Sequence, residues 1–204
     1  MIIAAFGQLA NGKDTVCDYL FEKVTGKNNW KRAAFANAVK DTFCQSFQVT
    51  REFIEEWKRI PEPPPGFILP IRQALQNIGD GFRKIVPTIW IDIALRSTND
   101  LIISDGRYIN EAIAVKNKQG LNILIYREGF LNDDPNPSEA QLRPLIEWCA
   151  KNLESGPIDS SIYQDYPKDL SHFHYFIKNK DKKDLLKHVD TNLLPFVNNF
   201  FNQD

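Results

Sequence analysis

Five short apolar runs punctuate the chain: Ile2–Phe6, Arg32–Phe35, Leu101–Ser104, Asn122–Tyr126 and Phe173–Lys178. Their hydrophobicity is continuous rather than alternating, which predicts strands covered on both faces, as in a parallel sheet. Helical spacing appears between them. Lys13–Val24 places Val16, Leu20 and Val24 on one stripe, and Phe35–Phe47 does the same with Val39, Phe43 and Phe47. Tyr108–Lys118 turns Ile109, Ala112 and Ile113 inward. Strand-helix-strand alternation predicts an α/β fold built from right-handed crossovers.

The longest interval between strands, about 37–100, holds a short charged helix near Arg51–Lys58 and the run Pro61-Glu62-Pro63-Pro64-Pro65-Gly66. Consecutive prolines are extended and cannot lie inside a helix. Apolar periodicity resumes at once over Pro70–Lys84, with Ile71, Leu75, Ile78 and Phe82 on the expected buried side and Arg72, Gln76 and Arg83 opposite. The interval reads as a helical insertion covering the mouth of the sheet. From Glu128 to Pro137 the residues are those of a loop, and Ser138 with Gln141 three positions on predicts a helix start by a capping box. Over Asp184–Phe201 the pattern is amphipathic, with Pro195 expected to break or kink it.

Among 204 residues, 43% are hydrophobic and 25% charged, values of an ordinary globular domain rather than a disordered or collagen-like chain. Lys plus Arg is 25 against 26 Asp plus Glu, so a net charge of −1 argues against stable nucleic-acid binding. No apolar run is long enough for a membrane span, and Met1–Phe6 lacks a basic leader before meeting Gly7, so no secretory signal is expected. Cys17, Cys44 and Cys149 are odd in number and widely spaced, as for reduced thiols in a cytoplasmic protein.

One motif carries chemistry. Gly7-Gln8-Leu9-Ala10-Asn11-Gly12-Lys13-Asp14-Thr15 lies between an apolar strand and an amphipathic helix, the context of a phosphate-binding loop. Glycines let successive N–H groups turn toward an anion, the helix N-terminus adds partial positive charge, and a lysine neutralises the outer phosphates. Asp14 stands where Ser or Thr usually follows the lysine, and Thr15 comes next. Asp14 is therefore a candidate to contact Mg²⁺ through water. Asp105, at the end of the third strand, is a second metal candidate.

Arg107 and Arg127 follow the third and fourth strands and emerge at the same sheet edge as Lys13, while Arg72 and Arg83 line one helix face. Converging guanidinium groups suit an acceptor that is itself a phosphate monoester. Such a group is mostly dianionic at pH 7 because its second pKa is about 6, so it needs no general base. It needs relief from repulsion by the donor's phosphates, which bidentate guanidinium contacts supply. None of the three histidines lies beside the loop. For a nucleoside base, Phe35 and Trp90 are stacking candidates and Gln76 a hydrogen-bonding one, with the aromatics equally readable as core.

Together these residues resemble the deoxynucleoside monophosphate kinases of tailed phages. The resemblance rests on Gly7-x4-Gly12-Lys13-Asp14-Thr15, Phe35-Ala36-x3-Lys40, Arg72-Gln73-x2-Gln76-x2-Gly79, Trp90, Asp105-x-Arg107-x2-Asn110-Glu111 and Pro137-Ser138-Glu139, and covers nearly the whole chain. Nucleoside monophosphate kinases also tolerate the Gly-Lys-x-Thr form of the loop. The resemblance implies a single P-loop domain over 1–204, of three-layer α/β class. Its five-stranded parallel sheet would run in order 2-3-1-4-5, with the helical insertion at about 37–100 and a lid-like region at about 128–152. It implies transfer of the γ-phosphate of ATP, with Mg²⁺, to a deoxynucleoside 5′-monophosphate, in the cytoplasm (a host's, if phage-encoded), by a monomer or homodimer.

In that reading Gly7, Asn11, Gly12, Lys13, Asp14, Thr15 and Arg143 hold the donor. Phe35, Lys40, Arg72, Gln76, Trp90, Arg107, Asn110 and Glu111 hold the acceptor, and Arg127 or Arg143 closes over the transferring group. The alternatives are another small-molecule P-loop kinase, such as one acting on dephospho-coenzyme A, and a nucleotide-binding switch. The switch is disfavoured because Asn179-Lys180-Asp181-Lys182 has lysine where guanine recognition needs aspartate.

Overall fold

A computed structural model describes residues 1–24, 29–131, 136–159, 161–163 and 165–202. In chain order the elements begin Ile2–Phe6 (β1), Lys13–Val24 (α1), Trp30–Ala33 (β2), Ala36–Phe47 (α2), Arg51–Trp57 (α3), Ile71–Ile85 (α4) and Ile89–Ala94 (α5). They continue with Asp100–Gly106 (β3), Ile109–Asn117 (α6), Leu121–Arg127 (β4), Pro137–Ala140 (α7), Arg143–Asn152 (α8) and Gly156–Pro157 (β5). Tyr175–Asn179 (β6), Lys182–His188 (α9) and Leu194–Phe201 (α10) complete them. The chain divides into two compact units, Met1–Ala33 with Ser97–Asp204, and Ala34–Arg96.

The first unit is an α/β fold around one sheet ordered β2-β3-β1-β4-β6-β5 among the described residues. Its five principal strands are parallel and follow the expected order. A sixth strand corrects the expected count. It is only two residues long, pairs antiparallel to β6, and is too short to leave a hydrophobic signature. Ile3 lies opposite Ile102, and Ala5 opposite Ile123, in the central ladders. Ile3, Ala5, Val16, Leu20, Ile102, Leu121, Ile123, Ile125 and Ile177 are fully buried in one cluster. Each such Ile, Leu or Val stabilises the fold by about 1.5–3 kcal/mol relative to exposure.

The second predicted strand is displaced. It occupies Trp30–Ala33, and Phe35 caps α2 with helical dihedrals instead. β2 is an edge strand, so Lys31 can stay exposed and Arg32 half-exposed, which hides the strand from a search for continuous hydrophobicity. The expected capping box at Ser138 is also corrected. Asn136 caps α7 by accepting the Ser138 N–H at 3.0 Å, and Gln141 accepts the Ile109 N–H at 2.8 Å at the start of α6. The loop expected across Glu128–Pro137 falls partly on 132–135, outside the described residues. Pro195 neither breaks nor ends the C-terminal helical stretch. A π-helical turn at Val189–Leu193 precedes it, and it sits in the first turn of α10, where its missing N–H costs least.

The second unit is helical. Phe43, Ile54 and Ile71 form its centre, with Phe43 stacked on Phe67 at 5.8 Å. On α4, Leu75 and Ile78 pack toward that centre as expected, but Phe82 is 40% exposed and lies beside Trp90 instead. Among the described residues no helix is long and apolar enough to cross a membrane.

Candidate active site

β1 is buried along its whole length and ends at Gly7, whose backbone adopts φ 149°. A Cβ on Gly7 would stand 2.5 Å from the Ile125 carbonyl oxygen, so only glycine lets the loop pass this close to β4. Gly12 has φ 98°, and a Cβ there would meet Leu185 at 2.8 Å. Ala10 takes a left-handed conformation at φ 63° without being glycine, a strain of about 1–2 kcal/mol that the surrounding bonds hold in place. The loop thus turns sharply into α1, whose N-terminal end carries partial positive charge.

Side chains fix this loop from several directions. Asn11 is fully buried and donates to the Ile125 carbonyl at 3.2 Å. Asn179, at the end of β6, donates to the Asn11 carbonyl at 3.3 Å and to that of Tyr126 at 2.8 Å. The Gln8 amide donates to the Glu139 carbonyl at 3.0 Å, and the Leu9 N–H donates to the Glu139 carboxylate at 2.8 Å. Lys13 is 7% exposed and donates its ammonium to the carbonyls of Gly7 at 2.8 Å and Gln8 at 2.7 Å. Burial, and secondarily the Arg107 charge, lower its pKa from 10.5 to about 7. An arriving polyphosphate reverses that balance by favouring the charged ammonium.

Leu9, Ala10, Gly12, Lys13, Asp14, Thr15, Ser104, Asp105 and Arg107 surround one cavity of about 250 Å³. Arg107 reaches it from just beyond β3, and its Nη1 donates to Glu139 Oε1 at 2.5 Å. Lys13, Asp14, Asp105 and Arg107, drawn from two distant stretches of sequence, therefore share a single site. Glu111, expected at the acceptor, accepts the backbone N–H groups of Arg107 at 2.8 Å and Tyr108 at 3.1 Å. Its carboxylate, 2% exposed, thereby shapes the turn that presents Arg107. Asn110 is half-buried on the first turn of α6, Arg127 is exposed at the end of β4, and Arg143 is half-buried at the start of α8.

The remaining acceptor candidates belong to the second unit. Phe35 and Trp90 are each 2% exposed, and the Trp90 indole N–H is given to the Gly79 carbonyl at 2.9 Å. Both rings are core in this structure. Lys40 pairs with Glu55 at 2.7 Å, and hydrogen bonds from Lys40 and Lys58 hold the Glu55 carboxyl down to about 2. Arg72 is exposed on α4, and Gln76 half-buried.

Among the described residues no group of three or more His, Cys, Asp or Glu side chains gathers as a metal cluster. The cavity nevertheless offers the carboxylates of Asp14 and Asp105 with the hydroxyls of Thr15 and Ser104, an all-oxygen set that suits Mg²⁺. Magnesium is commonly held by one or two carboxylates, waters and a substrate's phosphate oxygens, and this donor set fits that pattern.

Sequence reasoning placed Glu139 in a motif without giving it a task, and took Asn179 only as the start of a base-recognition motif that fails. Their partners lie more than a hundred residues away along the chain or across the sheet, and no local pattern signals such contacts.

No family model matches the chain. A protein of Acanthamoeba polyphaga mimivirus named "Putative deoxynucleotide monophosphate kinase" is 28% identical over 165 residues, spanning 71% of this chain and 83% of that protein. Among solved structures, shikimate kinase from Acinetobacter baumannii in complex with shikimate aligns with a TM-score of 0.49 at 16% identity, over 97% of this chain and 93% of that one. Thymidylate kinase from Candida albicans aligns with a TM-score of 0.40 at 13% identity, over 98% and 92%. Both scores describe loose superposition.

Proposed function

We propose that this chain is an ATP-dependent kinase that phosphorylates a deoxynucleoside 5′-monophosphate to the diphosphate. The observation that carries the reading is the meeting of Lys13 and Arg107, with Asp14 and Asp105, around one cavity at the carboxyl ends of β1 and β3. A phosphate loop alone serves many reactions. A half-buried guanidinium beside it fits a second anion, and the named activity of the mimivirus relative supports a nucleotide as that anion.

In this reading the loop amides and Lys13 hold the β- and γ-phosphates of ATP, and Arg107 receives the acceptor phosphate. The cationic pair offsets the repulsion between two polyanions and keeps the transferring group in line, which is most of what phosphoryl transfer asks of a protein. Asp14 and Asp105 would hold Mg²⁺ through its waters. The metal, when bound, neutralises charge developing on the phosphate oxygens. Arg127 and Arg143 are candidates to close over the site, and Arg72 and Gln76 on α4 to meet the acceptor nucleotide. Lys40 keeps its tie to Glu55, and Phe35 and Trp90 support the helices beneath.

The test is ADP release with ATP and Mg²⁺ across the four deoxynucleoside monophosphates, their ribonucleotide counterparts and dephospho-coenzyme A. Turnover of at least one deoxynucleotide in preference to the other acceptors is expected. Turnover confined to dephospho-coenzyme A, or ATP binding without transfer to any acceptor, refutes the assignment.

A further inference from the structure

Glu139 is 1% exposed, although it lies on a helical turn of only four residues. Each of its acceptor oxygens reaches a different piece of the candidate site. Oε2 accepts the Leu9 N–H of the phosphate loop, Oε1 accepts Arg107 Nη1, and the backbone carbonyl accepts the Gln8 side-chain amide. A carboxylate buried to this degree costs free energy unless its charge and lone pairs are matched, and here both oxygens are engaged. The Asn136 cap on the Ser138 N–H and hydroxyl sets the turn that aims it inward.

We infer that Glu139 is a positioning residue for the transfer: it fixes the Arg107 guanidinium against the phosphate loop, so that donor and acceptor phosphates meet at a set separation. This rests on the proposed kinase reading and adds to it a residue that touches neither substrate. The geometry favours positioning over a plug. The bond to Glu139 runs through Nη1, and a guanidinium carries five N–H donors, so further donors of the same group can meet an incoming phosphate. The same carboxylate holds Leu9 N–H, so loop and arginine move as one body. A rotation of Arg107 away from the loop would break a short charge-assisted bond.

The experiment compares wild type, Glu139→Gln, Arg107→Ala and the double variant by steady-state kinetics, with thermal unfolding to confirm folding. Glutamine keeps an acceptor for Leu9 N–H but removes the charge that fixes Arg107. Glu139→Gln is expected to raise KM for the deoxynucleotide about 10-fold or more while KM for ATP stays within about 2-fold, the loss of one charge-assisted bond on the acceptor side. In the Arg107→Ala background the same change is expected to add almost nothing, since its effect passes through that arginine. An unchanged acceptor KM, or a loss that simply multiplies in the double variant, overturns the inference.

Should Glu139→Gln fail to fold, the wild type carries the test through NMR of its arginine side chains. A slowly rotating Nη–H signal, assigned by its disappearance in Arg107→Lys, is expected before and after adding the deoxynucleotide. A freely averaging signal, or one lost when the nucleotide binds, overturns the inference. A wild type that turns over no deoxynucleotide sinks the kinase reading and this inference with it. An active wild type with an indifferent Glu139→Gln sinks the inference alone.

Discussion

Around the phosphate loop, polar side chains reach far along the chain. Asn11 bonds to Ile125, Gln8 and Leu9 bond to Glu139, and Asn179 bonds back to Asn11. In Ala34–Arg96 the ion pairs among the described residues join positions close in sequence and are partly exposed, as in Arg83 with Asp80, Arg51 with Asp41 and Lys40 with Glu55. The interior of that unit is aromatic, with Phe43, Phe53, Trp57 and Phe67 in mutual contact. The difference separates two tasks. Long-range hydrogen bonds hold charged groups at fixed positions around the cavity, whereas aromatic packing makes a stable platform without fixing any exposed side chain.

That contrast breaks most visibly at Trp90. Replacing it by alanine removes a buried ring and the bond to Gly79, and is expected to destabilise the chain by about 3–5 kcal/mol in denaturant unfolding. A stable Trp90→Ala protein with a selectively raised acceptor KM would instead place that ring at the substrate. Lys13→Ala should behave oppositely, lowering ADP production about 100–1,000-fold, the usual cost of removing a preorganised group at a developing charge, while stability holds or rises. Full activity in that variant contradicts the role given to Lys13.

The pH dependence of stability sharpens the same point. With a folded pKa of about 7 against an ordinary 10.5, Lys13 binds fewer protons in the folded than in the unfolded chain between those values. Stability therefore rises with pH across that window; the penalty is full below about 7 and gone above 10.5. Lys13→Met should flatten the rise, as seen in wild-type-minus-variant unfolding free energies from pH 6 to pH 10, on the order of that window. An equal slope in both proteins would show that the ammonium is not buried. The smallest effect is expected at Lys40. Its pair with Glu55 is partly exposed, so Lys40→Met should shift unfolding by no more than about 1 kcal/mol and weaken further with salt.

Most of the sheet was legible because every principal strand but β2 is built on an apolar run, and the loop from Gly7 to Thr15 stands between such a run and a periodic helix. Strand β2 was misplaced because an edge position lets Lys31 and Arg32 sit among its residues. Phe82 was expected in the core by period alone, but it lies beside Trp90 and stays 40% exposed. At the site, Lys13 follows from the phosphate loop, and Asp105 and Arg107 from their places at the end of β3. Glu139 does not, because an acidic residue in the first turn of a helix is ordinarily there to favour the helix dipole. Its burial arises only when α7 meets the phosphate loop.

In the proposed reaction two phosphorylated ligands share the space between Lys13 and Arg107. A bisubstrate compound, adenosine joined through five phosphates to a deoxynucleoside, addresses both positions at once in a calorimetric titration. Binding tighter than for ATP or the monophosphate alone is expected, weakened about 10-fold or more by Lys13→Ala and by Arg107→Ala separately. Binding no tighter than that of ATP, or unaffected by Arg107→Ala, would contradict it.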